Sequence, residues 1–214
     1  FEIRDGGASN DTDNQSTTLT ELELSISNHE NLQSIAVFDG ATMVEEVTSI
    51  NASINFTNLN LAAADDATKT FTVQVQFNTE VTDNEQLEFT ISNTTADVNG
   101  SLFAAIDAGG ATTATTGDDN RIEVTASQLA FSQQPTEVVV NEAMAPAVKV
   151  SALDASDNLD LDFTDAVEIT STGTLTNDPI SENAVSGVAS FNNLVHTAIA
   201  TDSELTASTT SFNV

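Results

Sequence analysis

Acidic and amide side chains crowd two short stretches of this chain. Asp5, Asn10, Asp11, Asp13 and Asn14 form the first, and Asp118, Asp119 and Asn120 the second. Such residues offer oxygen ligands at close range from adjoining turns, and Ca2+ takes about six to eight oxygens in a flexible geometry. Neither stretch has the spacing of an EF-hand loop. The expectation is structural Ca2+ at both: at the first, where an opening strand hands over to a domain, and at the second, at a junction between two domains. A third group, Asp154, Asp157, Asn158, Asp160 and Asp162, reads first as a hairpin turn at Asp157-Asn158, with Leu159, Leu161 and Phe163 alternating onward as a strand. Asp65-Asp66 and Asp83-Asn84 read as hairpin turns, either of which could add one ligand.

Other chemistries find less support. The chain has no cysteine, which removes disulfides, thiolate metal sites and a cysteine nucleophile. Its two histidines are His29, in the loop-like run Ser27-Asn-His-Glu-Asn31, and His196, after Leu194-Val195 near a strand end. A serine hydrolase of the α/β type sets its nucleophile on a Gly-x-Ser-x-Gly elbow, and the sequence contains none. With 33 acidic residues, carboxylate pairs are unavoidable, yet the chain lacks both Trp and Tyr, the usual platforms for sugar rings. No glycines gather into a phosphate-cradling loop. The expectation is a protein that is not an enzyme, with no catalytic residue.

These acids dominate the electrostatics. Four basic residues (Arg4, Lys69, Arg121, Lys149) stand against them, for a formal charge of -29 over 214 residues. A surface of that sign repels nucleic acid and anionic membranes and attracts divalent cations. Self-repulsion also opposes a compact state unless bound Ca2+ or high salt screens it. No apolar run reaches membrane-spanning length, and no signal peptide is visible. Six Asn-x-Ser/Thr sequons begin at Asn10, Asn14, Asn51, Asn55, Asn93 and Asn99, in a sequence where Asn and Thr abound.

The elements that must carry the acidic turns are strands. Leu22, Leu24 and Ile26 alternate with polar residues, as do Phe71, Val73, Val75 and Phe77, and then Leu87, Phe89 and Ile91. Period-two alternation puts apolar side chains on one face, as a half-buried antiparallel strand requires. Turn signals at Asp39-Gly40, Asp65-Asp66, Asp83-Asn84 and Asn99-Gly100 separate them. The small-residue stretch 108–120 ends in an acidic knot and predicts a boundary, with a fresh strand at Ile122 and Val124. Leu129–Phe131, Val138–Val140, Val148–Ala152, Val167–Ile169, Val188–Phe191 and Leu205–Ala207 read as further strands. The fold class expected is all-β: two tandem immunoglobulin-like antiparallel β-sandwiches, residues 1–120 and 121–214. The strand-like Phe1-Glu-Ile-Arg4 reads as the start of an excised internal segment.

Several runs resemble repeat units of giant surface proteins of Bacteroidota: Ile3–Gly7, Asn10–Asn14, Ile35–Gly40, Val81–Asn84 and Asp119–Val124. In the second half, Leu129–Pro135, Ala143–Pro146, Asp154–Asp160, Phe163-Thr164 and Ser171–Leu175 are similar to the bacterial immunoglobulin-like modules of those proteins, SprB-like gliding adhesins and other type IX-secreted adhesins among them. The resemblance runs nearly the whole chain and rests on turn and strand signatures. It implies a secreted bacterial cell-surface filament or adhesin involved in attachment or gliding motility. The partners would be neighbouring repeats of the same chain, and surface polysaccharide or other cells; nucleic acid and membrane insertion are not expected. Two alternatives stay open: a carbohydrate- or partner-binding module using loops at one sandwich tip, and a subunit of a strand-exchanging extracellular filament.

Overall fold

A computed structural model describes residues 1–6, 12–103, 120–199 and 201–212. The elements named in them are strands and a 3-10 turn at His29–Asn31, and the strand pairings are antiparallel. The chain is an all-β protein. It divides into two compact units, one made of Phe1–Val81 with Glu85–Arg121 and the other of Thr82–Asn84 with Ile122–Val214.

The first unit is built from β1 (Glu2–Arg4), β2 (Thr17–Ile26), β3 (Leu32–Asp39), β4 (Thr42–Val47), β5 (Ser53–Phe56), β6 (Leu61–Ala63), β7 (Thr68–Thr70), β8 (Thr72–Phe77) and β9 (Phe89–Ala96). Strand β2 is central to one sheet, with β9 along one side and β5 and β6 sharing the other. Leu22, Leu24 and Ile26 point inward and are buried, as their alternation requires. Leu19 is also inward although it lies three positions from Leu22, because a register shift between Leu19 and Glu21 resets the phase. The second sheet runs β4-β3-β8, and its Leu32, Ile35 and Val37 join the first sheet's Leu22, Ile54 and Phe56 in one core. Each such side chain removed from water contributes about 1.5–3 kcal/mol before the chain entropy opposing it.

The second unit holds β10 (Gln128–Gln133), β11 (Val148–Leu153), β12 (Ala166–Ser171), β13 (Ile180–Asn183), β14 (Val188–Phe191) and β15 (Leu205–Ser208). They form two three-stranded sheets, β10-β11-β14 and β13-β12-β15. Val148, Val150, Ala189 and Phe191 of the first sheet and Val167 and Ile169 of the second meet in a separate core. At Gly187 the chain takes φ +79, and a Cβ there would strike the Asp160 carbonyl and Leu159, so only glycine fits.

Four local expectations need correction. Ile122 and Val124 are buried but belong to no strand: Val124 N–H donates to Asp83 Oδ1 at 2.9 Å and Ala126 N–H to Asp160 Oδ2 at 2.8 Å. Carboxylates, rather than a neighbouring strand's carbonyls, take these two N–H groups. Val138–Val140 is likewise no strand; Val138 packs on the core, Val139 is exposed, and the turn beyond it puts Asn141 at φ 68. Leu159 makes a single bridge to Leu153, and no strand follows through Leu161 and Phe163, because Asp160 turns inward and Phe163 N–H bonds back to its carbonyl. Asp65-Asp66 and Asp83-Asn84 are turns, as their residue types demand, but not hairpin turns. Strand β6 pairs β2 while β7 pairs β1, and β8 pairs β3 while β9 pairs β2, so each turn joins strands of different sheets.

Candidate metal centre

Asp5 follows β1 directly and continues its pairing, its N–H donating to the Ala67 carbonyl at 2.9 Å. Opposite, Ala64–Ala67 closes a turn through Ala67 N–H to Ala64 O at 2.8 Å, with Asp66 at φ 57. Asp tolerates that left-handed conformation better than most residues. The turn aims the Asp66 N–H at Asp5 Oδ2, 2.9 Å away, while Thr17 Oγ1 at the start of β2 donates to Asp5 Oδ1 at 2.6 Å. Carboxylate oxygens of Asp5, Asp65 and Asp66 thereby lie within 4.8 Å of one another. Asp5 is buried, Asp66 half-buried and Asp65 exposed.

Burial pushes the Asp5 carboxyl up, but hydrogen bonds from the Thr17 hydroxyl, the Asp66 N–H, the Ser101 hydroxyl and the Thr17 N–H outweigh it and hold the group below the ordinary aspartate value. It stays ionised at neutral pH. An all-carboxylate donor set suits a hard cation such as Ca2+ or Mg2+ rather than a thiophilic metal.

The sequence-read clusters fare differently. Asp5 is common to the first cluster and to this triad. Asp13 instead accepts from Gln15 N–H at 2.8 Å and from the Ser101 hydroxyl at 2.9 Å. Asn14 sits at φ 57 with its amide 3.5 Å from the Thr12 carbonyl. Asn10 and Asp11 lie outside the described residues, as do Asp118 and Asp119 of the second cluster. Asn120 accepts from Leu87 N–H through its backbone carbonyl at 3.0 Å. The tie from Asp5 to Asp65 and Asp66 spans about sixty residues and leaves no mark in local spacing; only the β1–β7 pairing creates it.

In the third group the carboxylates cap backbone. Asp154 Oδ1 accepts from Ser156 N–H at 2.8 Å and Asn158 N–H at 2.9 Å, and its Oδ2 from the Asn158 amide at 3.0 Å. Asp160 accepts from Ala126 N–H and, at 3.0 Å, from Asp162 N–H. Burial raises the Asp154 carboxyl, the bonds from Asn158 and Ser156 lower it more, and the net position is below its ordinary 3.8. A depressed folded-state value means that the unfolded chain takes up the proton first, so this contribution is present above about pH 4 and lost as pH falls through the folded value. Asp154→Asn should therefore flatten the acid limb of a stability-versus-pH curve; an acid limb identical to that of the unmutated chain would show that Asp154 contributes nothing there.

His196 Nε2 lies 3.1 Å from Ser171 Oγ, which also accepts from Gly173 N–H at 3.0 Å. The pair braces the exit of β12. His29 Nδ1 stands 3.5 Å from Glu30.

What fold and site together define is an acidic, two-unit, all-β protein whose first unit brings together three carboxylates that could hold a cation. No protein-family model and no curated protein sequence matches the chain.

Proposed function

We propose that the chain is a structural, non-catalytic module of an extracellular β-sandwich repeat protein, a stalk or adhesin segment, whose first unit takes Ca2+ at Asp5, Asp65 and Asp66. The convergence of these carboxylates on β1 and the β6–β7 turn carries the reading. A cation there ties β1 to the turn and offsets repulsion among like charges in a chain of charge -29. With three carboxylates and the remainder from water or backbone, the affinity expected is that of extracellular modules, about 10⁻⁴–10⁻³ M. The adhesin role, the surface location and the partners (neighbouring repeats, surface polysaccharide, other cells) rest on the sequence resemblance to Bacteroidota surface repeats. No helix among the described residues is long and apolar enough to cross a membrane.

The test is a thermal melt of the intact chain in Ca2+, in chelator, and in NaCl of matched ionic strength. A ligand at a hundredfold excess over its Kd stabilises by about 2.7 kcal/mol, a shift of several degrees for a unit this size. The shift should vanish in Asp65→Asn/Asp66→Asn, which keeps the buried Asp5 and its hydrogen bonds. A melt indifferent to Ca2+ sinks the metal reading, and NaCl reproducing the whole effect replaces it with simple screening.

A further inference from the structure

The turn after β9 places Asn99 directly before Gly100, and the chain holds no other Asn-Gly pair. Such a pair carries a reaction within itself: the main-chain nitrogen of the second residue can attack the side-chain Cγ of the first. Glycine has no Cβ to shield that nitrogen. Asn99 is exposed and Val98 before it is 83% exposed, so water reaches the site.

The turn lies along the lead-in to β2: Asp97 N–H donates to the Thr18 carbonyl at 2.8 Å and Ser101 N–H to the Ser16 carbonyl at 3.2 Å. A Cβ on Gly100 would strike that Ser16 carbonyl, so the fold requires glycine there. Asp97 Oδ1 accepts from both the N–H and the side-chain amide of Asn99, each at 2.9 Å. Gly100 N–H closes the turn on the Asp97 carbonyl at 3.2 Å, the long end of the hydrogen-bond range. Attacking nitrogen and departing amide are thus both held by Asp97, and the reaction waits until the turn opens. A short exposed turn outside the core opens at a small fraction of the cost of unfolding.

We infer that Asn99 is a self-modification site, deamidating at a rate set by the opening of the Asp97–Ser101 turn. In the open turn the Gly100 nitrogen, its proton lost to solvent base, bonds to Asn99 Cγ. The bond from Cγ to Nδ2 breaks and that nitrogen leaves as ammonia, closing a succinimide ring. Water then opens the ring at either carbonyl, leaving aspartate or isoaspartate at position 99; nothing is oxidised or reduced. Neither product recovers the closed turn. Aspartate sets a carboxylate against Asp97 Oδ1 where an amide had donated. Isoaspartate lengthens the main chain by a carbon between the bonds to Thr18 and Ser16. The change runs one way and loosens the end of β9 from the start of β2. It goes beyond the calcium-module reading and does not depend on it.

Peptide mapping by mass spectrometry, with isoaspartate quantified, tests it on the intact chain held in warm, mildly alkaline buffer. Asn99 should convert before any other asparagine, and faster as pH rises, because the attacking nitrogen must lose its proton. Urea, by removing the closed turn, should speed the conversion of Asn99 about tenfold. Asp97→Ala frees the Asn99 amide and should speed it severalfold in native buffer, a response that a lability of the dipeptide alone would not give. Aged chain should melt below fresh chain, while Asn99→Gln incubated alike should keep its melt. Asn99 left intact while other asparagines convert overturns the inference. So does a rate that neither urea nor Asp97→Ala alters, since the turn would then gate nothing.

Discussion

Asp83→Ala in the intact chain should destabilise the unit formed by Thr82–Asn84 and Ile122–Val214 by roughly 2–4 kcal/mol, since each buried donor left without an acceptor costs about 1–3 kcal/mol. Asp83 is 4% exposed, and its two oxygens serve three backbone donors: Val124 N–H at 2.9 Å, Asn84 N–H at 2.9 Å and Leu161 N–H at 2.7 Å. Val124 is itself buried, so water cannot readily replace the carboxylate there. Asp83→Asn keeps one oxygen acceptor and should lose about half as much. Denaturant unfolding checks both, the midpoint falling with little change in slope. Residues 122–214 expressed alone lack Asp83 and should be less stable than the same residues in the intact chain. Equal stability of Asp83→Ala and the unmutated chain would falsify the assignment of Asp83 as this unit's buried acceptor.

Phe56→Ala should cost the first unit about 3–5 kcal/mol, the range for deleting a fully buried phenyl ring. Phe56 is fully buried at the end of β5, paired with Leu22 of β2, and packs in the core where both sheets meet. Neither neighbour can collapse into the space without breaking the pairing that holds it, so much of the cavity remains. Phe56→Leu keeps most of the volume and should cost far less. Phe77→Ala is the internal control: that ring is 43% exposed, and its removal should change monomer stability by less than about 1 kcal/mol. Comparable losses at Phe56 and Phe77 would mean that the core is not where the packing puts it.

Alternation in the sequence was enough to place β2, β8, β10, β11, β12, β14 and β15, because a strand with one face on a core must repeat its apolar residues every second position. The same rule misled at Ile122–Ala126. Ile122, Val124 and Ala126 are buried in alternation, as in a strand, yet the alternate N–H groups of Val124 and Ala126 end on Asp83 and Asp160. Periodicity reports which way side chains face; it does not say what satisfies the backbone. The acidic turns show the complementary limit. Asp65-Asp66 and Asp83-Asn84 were legible as turns, since Asp and Asn accept left-handed backbone, and Asp66 and Asn84 have φ 57 and 66. One turn joins a carboxylate triad and the other seals a core.

By itself the sequence determined that this is an acidic, cysteine-free, all-β chain and that Asp5 belongs among its candidate ligands. Those properties follow from composition and from contacts between residues near in sequence. The tertiary structure decided which acids meet. Strand β1 pairs with β7 and so sets Asp5 beside Asp65 and Asp66, although Asp13 is far closer to Asp5 in sequence. A carboxylate's role depends on whether N–H groups or other carboxylates surround it, and strand pairing between distant segments sets those surroundings.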